Sequence, residues 1–440
     1  MKCSIRNLEG LEALSLLTPD GYLPRIVDAR IEKLLRAFGG VEITGPKWCG
    51  KTWSALAHAR SCDTLMDEAV LDAAQTDPAL VLAGEEPHLV DEWQEAPDIW
   101  DAARNHIDRN ANRKGQLILT GSARPKDAGR IRHSGTGRIA RLRMRPMALC
   151  ESNETCGGVS LSEMFDGEFS PVVKMTTVED IARWCCRGGW PSIVGLEDEF
   201  ALETPSEYVK SIVELSVPRQ GKSGDTALRL LRSLSFNAAQ SPTLKTLAKD
   251  MGDNGSTAAQ NTVSDYLALL KELYIIEELP GWAPPLRSKH RVRTKPKRYF
   301  VDPSIPASLI GSSPQRLLKD TQTLGNLFET LVLRDIRTCL SIMPGAANRL
   351  GYYHDDKGVE ADIVIELSDG RWAAIEVKLS DSKVDADSAK KLLHVASKLT
   401  SNPREQTPPP TFLAFIVGKS TRAYRRADGI YVIPAATLEA

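Results

Sequence analysis

Apolar positions along the chain fall into two rhythms. Between residues 41 and 122 short apolar runs alternate with helical stretches. Val41-Glu42-Ile43-Thr44 is a β-like run, followed by a glycine-containing loop and a helical stretch from Trp53 to Arg60. Asp63 to Met66 reads as a second strand. Asp77-Pro78 has the form of a helix start, an N-cap acid with Pro at the first helical position. His88 to Glu92 is a short buried strand ending in two carboxylates, Asp98 to Asp108 is helical, and Gln116 to Thr120 is another apolar strand. Strands alternating with helices predict a parallel α/β sheet.

Beyond residue 150 the rhythm changes. Glu151 to Pro171, rich in Gly, Ser and acids, reads as a surface loop. Thr177 to Val217 is mostly helical, with a hard break at Arg187-Gly188-Gly189-Trp190-Pro191, and Gly221 to Gly224 reads as a linker. Three short helices follow, Leu228–Phe236, Thr243–Met251 and Thr257–Leu273, the last with Val263, Leu267 and Leu270 on one face. Strands from Tyr274 to Leu279 and from Arg298 to Val301 bracket a basic loop, so this part predicts a winged helix. An amphipathic helix, Leu324–Leu340, opens the last part. Two alternating strands, Ala361–Glu366 and Ala373–Leu379, join through Asp369-Gly370 in a predicted hairpin. A helix from Ala386 to Leu399 and a strand from Phe412 to Val417 complete an α/β unit.

Composition narrows the classes. The chain has 440 residues, 42% hydrophobic and 26% charged, which suits several soluble cores and excludes disorder as the main state. Lys+Arg total 56 and Asp+Glu 57, so a globally basic nucleic-acid binder is excluded while local patches are not. No run approaches the length of a membrane span, and Met1 to Leu17 lacks a signal-peptide layout, so a cytoplasmic protein without membrane contact is expected. The eight cysteines form no C-x-x-C pair and do not cluster with histidines, which argues against zinc.

The strongest chemical signal is Gly45-Pro46-Lys47-Trp48-Cys49-Gly50-Lys51-Thr52, set between a strand and a helix. This is the full P-loop pattern in its proper context. Glycines let backbone N–H groups curl around phosphates, and the helix N-terminus adds partial positive charge. Lys51 suits the β- and γ-phosphates of ATP, and the Thr52 hydroxyl suits Mg²⁺. Asp91 suits a role in holding that Mg²⁺, Glu92 the polarisation of an attacking water, and Thr120 or Ser122 the sensing of the γ-phosphate. Arg130, Arg132, Arg138, Arg141, Arg143 and Arg145 crowd one stretch without an acid. Arg138, after Gly135-Thr136-Gly137, is the candidate arginine finger, and a finger acting between chains would imply a homo-oligomer.

Several segments together resemble a bacterial group. They are Tyr22-Leu23-Pro24-Arg25, the P-loop itself, Val90-Asp91-Glu92-Trp93-Gln94-Glu95-Ala96-Pro97, Leu119-Thr120-Gly121-Ser122 and Arg187-Gly188-Gly189-Trp190-Pro191. The group is that of AAA+-superfamily ATPases fused to a C-terminal domain similar to the PD-(D/E)xK nuclease superfamily. The resemblance runs from about Tyr22 to the C-terminus. Together with the element pattern it divides the chain into an expected N-terminal segment over 1–24, a parallel-sheet P-loop ATPase core over 25–150 and a helical lid over 151–220. A winged-helix domain over 221–302 and a restriction-endonuclease-like α/β domain over 303–440 would follow.

Within that last part Asp362, Glu376 and Lys378 have the spacing D-x13-E-x-K. Glu376 and Lys378, two apart on a strand, leave the same face, and Asp362 on the preceding hairpin strand can approach them. Paired carboxylates are hard oxygen ligands for Mg²⁺, and Lys378 suits the placing of a water or the countering of charge. Glu329 matches the extra acid that precedes this motif in the resembling nucleases. Where their pattern has an arginine after paired tyrosines, this chain has His354 after Tyr352-Tyr353. The basic segment of Arg287, Lys289, Arg291, Arg293, Lys295, Lys297 and Arg298 falls where a wing would touch a phosphate backbone, so nucleic acid is the expected partner. The leading expectation is a DNA-associated ATPase whose last domain cuts or binds nucleic acid. The rival is a regulatory ATPase switch whose nuclease-like fold is an inactive interaction module.

Overall fold

The protein is described by a computed structural model covering residues 16–123, 125, 129, 131, 133–155, 157–252, 257–284, 294–343, 350–355, 359–401 and 407–440. The chain divides into two compact units. The first is residues 1–146 with 190–192 and 272–274, and the second is 147–189, 193–271 and 275–440. The segments expected as lid, three-helix part and C-terminal α/β part fall in or mostly in the second.

In the first unit, β1 (Gly40–Thr44), β2 (Ser61–Thr64), β3 (His88–Asp91), β4 (Leu117–Gly121) and β5 (Ile139–Arg143) form one parallel sheet in the order β2-β3-β4-β1-β5. The strand that enters the P-loop is therefore separated from the Asp91 strand by β4. Alternation on the strands splits the core into two layers. Val41, Ile43, Leu89 and Ile118 pack with Ile31 and Leu34 of the helix Asp28–Ala37. Val90, Leu117 and Leu119 pack with Trp100, Ala103 and Ile107 of the helix Ile99–Arg109. Both faces are covered, and each fully buried Leu, Ile or Val contributes about 1.5–3 kcal/mol, so the strand ends are held rigidly.

Two local readings of this unit are corrected. Asp77 ends the helix Glu68–Thr76 instead of starting one. Asp67 is the N-cap, accepting from Ala69 N at 2.9 Å, while Asp77 Oδ1 accepts from Ala79 N in a turn and Pro78 offers no N–H to continue the helix. The helix after the P-loop spans Lys51–Leu56, beginning inside the motif, not at Trp53.

The second unit begins with residues 147–189. The stretch expected as a surface loop holds β6 (Val159–Ser160) and the helix Leu161–Phe165, capped by Ser160 and burying Leu161, Met164 and Phe165. β7 (Val173–Thr176) and the helix Val178–Arg187, which starts with a Thr177–Asp180 capping box, follow. Helices Gly224–Phe236, Leu244–Asp250 and Gln260–Glu272 precede β8 (Ile276–Leu279) and β9 (Lys297–Phe300), which pair antiparallel.

The helix Thr321–Leu340 is buried on nearly every side. It is followed by β10 (Leu350–His354), β11 (Glu360–Glu366), β12 (Trp372–Ser380), β13 (Phe412–Arg422), β14 (Tyr424–Arg425) and β15 (Tyr431–Pro434), joined in one mixed sheet. The terminal β16 (Leu438–Glu439) pairs with β6, and β7 pairs with the far end of β13. The expected hairpin is present, with Ile363 opposite Ile375 and Glu366 opposite Trp372. β12 then runs parallel to β13, and the helix Ala386–Thr400 covers the sheet through Leu392, Val395 and Leu399.

Candidate functional sites

The phosphate site grows from the end of β1. Gly45 has φ +155° and Gly50 φ +96°, and a Cβ on Gly45 would collide with the Met144 carbonyl, so the loop path requires glycine there. Trp48 also takes a left-handed backbone, φ +64°, and its ring is exposed. Lys51 is buried and its Nζ donates to the Pro46 carbonyl at 2.9 Å, which curls the lysine back over the loop. Thr52 Oγ1 donates to Asp91 Oδ1 at 2.8 Å, so the Asp91 carboxylate and the Thr52 hydroxyl already share one point. Thr120 Oγ1 donates to the same Asp91 oxygen at 2.5 Å and Thr64 Oγ1 to the other at 3.4 Å. Glu92 turns out of the strand in a left-handed conformation, φ +58°. Its Oε2 accepts from Gln94 Nε2 and, at 2.9 Å, from Ser122 Oγ, while its backbone N–H donates to Thr120 Oγ1. Thr120 and Ser122 thus support Asp91 and Glu92 directly.

These donors fit Mg²⁺ and a nucleotide. Thr52 and Asp91 are a hydroxyl and a carboxylate converging beside a glycine-rich loop, the hard oxygen set Mg²⁺ prefers alongside phosphates.

Residues outside the motif hold the loop. Arg25 is buried, and its Nη1 donates to the Cys49 carbonyl and Nη2 to the Arg145 carbonyl, both at 2.8 Å. Tyr22 donates to Asp28 and lies 2.9 Å from Ser54 Oγ on the helix after the loop. The only sequence signal for either was the Tyr22–Arg25 segment of the resemblance. Arg138 lies elsewhere. Its carbonyl accepts from Gly40 N at the opposite end of β1 from the P-loop, and its Nε donates to Asp108 at 2.9 Å. Arg141 pairs with Glu42, while Arg130 and Arg132 lie outside the described residues.

The second site lies where β11 and β12 part. Their pairing runs from Glu366–Trp372 to Ile363–Ile375, and the N–H of Val377 turns to Asp362 Oδ2 at 2.9 Å. Lys378 Nζ donates to Glu376 Oε1 at 2.8 Å, so these two share a face as expected. Glu329, from the helix Thr321–Leu340, joins them. The residue that sequence reasoning did not place here is Lys297. Its Nζ, carried in on β9, lies 3.2 Å from Glu329 Oε1 and 3.3 Å from Asp362 Oδ1, and 5.4 Å from the centre of the Tyr352 ring. Tyr299 Oη donates to the same Glu329 oxygen at 2.5 Å.

Burial, and then the Asp362 charge, push Glu329 up to about 8, against the pull of Lys297 and Tyr299. Burial and Asp362 likewise push Glu376 up to about 7. Burial alone would lower the Lys297 ammonium, but Glu329 and Asp362 outweigh it and hold its pKa above the usual range. Burial and the negative charge of Asp362 together outweigh the two ammoniums at Glu329 and Glu376, which is why both are raised.

This arrangement does not fit the divalent metal that the nuclease resemblance implies. The ammonium stands between Glu329 and Asp362, and Lys378 holds Glu376. Among the described residues no group of three or more His, Cys, Asp or Glu is arranged to hold a metal ion. Two charges of the expected wing are turned inward as well. Lys297 is in this cluster, and Arg298 pairs with Glu278 and donates to the Pro242 carbonyl. Lys295 is exposed, and Arg287, Lys289, Arg291 and Arg293 lie outside the described residues. His354 is half exposed beside Glu360 at 3.7 Å.

Comparison with known proteins bears on these sites. Residues 39–153 match the model of the AAA domain family. Two further models match later segments, each a domain of unknown function, DUF8612 over 178–316 and DUF4143 over 324–438. No curated protein matches the chain. Among solved structures the chain is similar to the Walker-type ATPase PABY2304 of Pyrococcus abyssi, with 11% identity over 68% of this chain and 99% of that one, at a TM-score of 0.42. It is also similar to the RuvB Holliday junction branch migration motor of Thermotoga maritima, with 14% identity over 58% and 89% at 0.27. Cdc6p from Pyrobaculum aerophilum gives 14% over 71% and 97% at 0.23. These are loose likenesses. Residues 39–153 carry a P-loop domain of the AAA type. No helix among the described residues is long and apolar enough to cross a membrane.

Proposed function

We propose that the chain binds and hydrolyses ATP with Mg²⁺ at the P-loop. The observation that carries this is the meeting of Thr52 and Asp91 at 2.8 Å beside the buried Lys51. Bound Mg²⁺ would neutralise charge on the β- and γ-phosphates. Backbone N–H groups of the loop 45–52, other than that of Pro46, which has none, hold the phosphates, and Lys51 leaves the Pro46 carbonyl to meet them. Glu92, fixed by Gln94 and Ser122, orients the attacking water and accepts its proton. Turnover of ATP by the parent chain and by Glu92→Gln tests this. Nucleotide binding is retained and turnover falls about 10²-fold or more. Equal turnover by both would reduce Glu92 to a strand-end charge.

The same reading makes the chain a nucleic-acid-associated ATPase, through the basic segment 287–298. What supports it is the run of Arg287, Lys289, Arg291, Arg293 and Lys295 without an acid, Lys297 and Arg298 being turned inward. Affinity for DNA should fall with salt, and neutralising Arg291, Arg293 and Lys295 together should flatten that dependence. Cleavage by the C-terminal part is a second reading. It is favoured by the convergence of Glu329, Asp362, Glu376 and Lys378 and opposed by Lys297 among them. DNA cutting by the parent that Asp362→Ala abolishes, with ATP turnover intact, would establish it, and no cutting by either leaves the fold as an interaction module.

A further inference from the structure

Lys297 sits in a cradle made for a cation. Its ammonium has three donors and no acceptor. Two point at carboxylates from two separate elements, Glu329 on the helix and Asp362 on β11, and the Tyr352 ring face lies 5.4 Å away. The three side chains of the ion-pair trio are each only 11–15% exposed. Tyr299, two residues along the same strand, donates to the same Glu329 oxygen, so β9 contributes two contacts to this carboxylate. Asp362's second oxygen is used by Val377 N–H, and Glu376 by Lys378. Every carboxylate of the cluster is thus engaged by a donor from the chain itself.

We propose that Lys297 is the resident cation of the Glu329–Asp362 pair. Its ammonium occupies the position a divalent ion would need, and such an ion binds there only when Lys297 withdraws. The physical reason is competition between like charges. A divalent ion drawing on oxygens 3.2 and 3.3 Å from Nζ would stand within a few ångströms of an ammonium in a poorly solvated pocket, where repulsion is weakly screened. This inference rests on the side-chain geometry and on neither reading of catalysis.

The test uses Mn²⁺ as probe on the full chain without nucleotide, so that the P-loop site does not draw the ion, with binding read by paramagnetic resonance. The parent is expected to show no Asp362-dependent binding up to about 1 mM, where weak oxygen sites begin to fill. Lys297→Met, which keeps the apolar stem and drops the charge, should gain affinity by roughly tenfold or more, and adding Asp362→Asn should remove the gain. Asp362-dependent binding of equal strength in the parent and in Lys297→Met would overturn the proposal. So would a folded Lys297→Met chain that binds no Mn²⁺.

Because that substitution strips two buried carboxylates of their counter-charge, a second measurement uses the parent alone. Amine labelling read by mass spectrometry should find Lys297 far less reactive than the exposed Lys390, and unchanged by Mn²⁺ at about 1 mM. Labelling of Lys297 at the rate of Lys390, or exposure of it by Mn²⁺ at that concentration, would show that the ammonium does not hold the site.

Discussion

The P-loop site and the carboxylate–lysine cluster are both built where strands end, yet they are assembled differently. In the first, one contiguous stretch, residues 45–52, supplies the loop, the lysine and the hydroxyl, while Asp91 and Glu92 and the residues that support them come from elsewhere. Its lysine rests on one backbone carbonyl, a neutral acceptor that phosphates can displace. In the second, the lysine comes from β9 and is gripped by two carboxylates that lie 32 and 65 residues along the chain. A lysine held by one neutral acceptor is poised for a ligand. A lysine held by two buried anions is itself the ligand.

The sharpest way to test that contrast is to remove each lysine. Lys51→Ala should abolish ATP turnover, a loss of about 10²-fold or more, because a charge aimed at the transferring phosphate is gone. Its stability should fall by only about 1.5 kcal/mol, since one ammonium-to-carbonyl hydrogen bond is lost. Urea unfolding beside ATP turnover reads both. Lys297→Ala should do the reverse, leaving ATP turnover as it was while lowering stability by about 3 kcal/mol, as two buried carboxylates lose their ammonium. A Lys51→Ala chain that is as destabilised as Lys297→Ala would erase the distinction.

The two sites also differed in how far the sequence announced them. The P-loop, β1 and the carboxylate-ended β3 were legible because their chemistry is written in consecutive residues. The hairpin with Asp362, Glu376 and Lys378 was legible for the same reason, since period two and one turn set its faces. Lys297 was not legible. In the sequence it is one of seven charges in a basic run, and only the pairing of β9 and the placing of the helix Thr321–Leu340 bring it to Glu329. The capped helix Leu161–Phe165 has a signal in the sequence, set in a segment with the composition of a loop. Ser160 stands three residues before Glu163, and Leu161, Met164 and Phe165 follow at helical spacing. Gly and acidic residues around it outweighed that pattern.

The cluster's excess carboxylate gives a smaller, pH-dependent effect. Glu329 and Glu376 have folded pKa values raised to about 8 and about 7 from an ordinary 4.5, first by burial and then by Asp362. A raised folded pKa means that the folded state keeps a proton the unfolded state has released. That contribution is full below about 4.5 and is lost as pH rises through the folded values. Stability conferred by the cluster should therefore fall between about pH 5 and pH 8, by at most about 1.4 kcal/mol per pH unit for one proton. Asp362→Asn removes one negative charge, so the parent should lose more stability than this variant over that interval in urea unfolding. Parallel pH profiles would mean that the Asp362 charge does not raise Glu329 and Glu376.

The smallest effect expected in the isolated chain concerns Arg138, and it separates what the sheet allows from what an assembly could add. Arg138 precedes β5 at the end where Gly40 begins β1, whereas the P-loop leaves β1 at Thr44, opposite Arg143. Four strand residues at about 3.3 Å each put it roughly 13 Å from the loop's origin in the same chain. Its guanidinium, 38% exposed, pairs with Asp108, and an ion pair that open to solvent contributes roughly 0.2–1 kcal/mol. Arg138→Ala should therefore lower stability by less than about 1 kcal/mol and leave turnover in dilute solution within about twofold of the parent. If Arg138 serves a neighbouring copy, turnover should rise with protein concentration in the parent but not in the variant. Mixing Arg138→Ala with Lys51→Ala chains should then restore part of that rise, since each supplies the group the other lacks. A loss of turnover in the dilute variant would instead mean that Arg138 reaches its own nucleotide, against the direction in which β5 presents it.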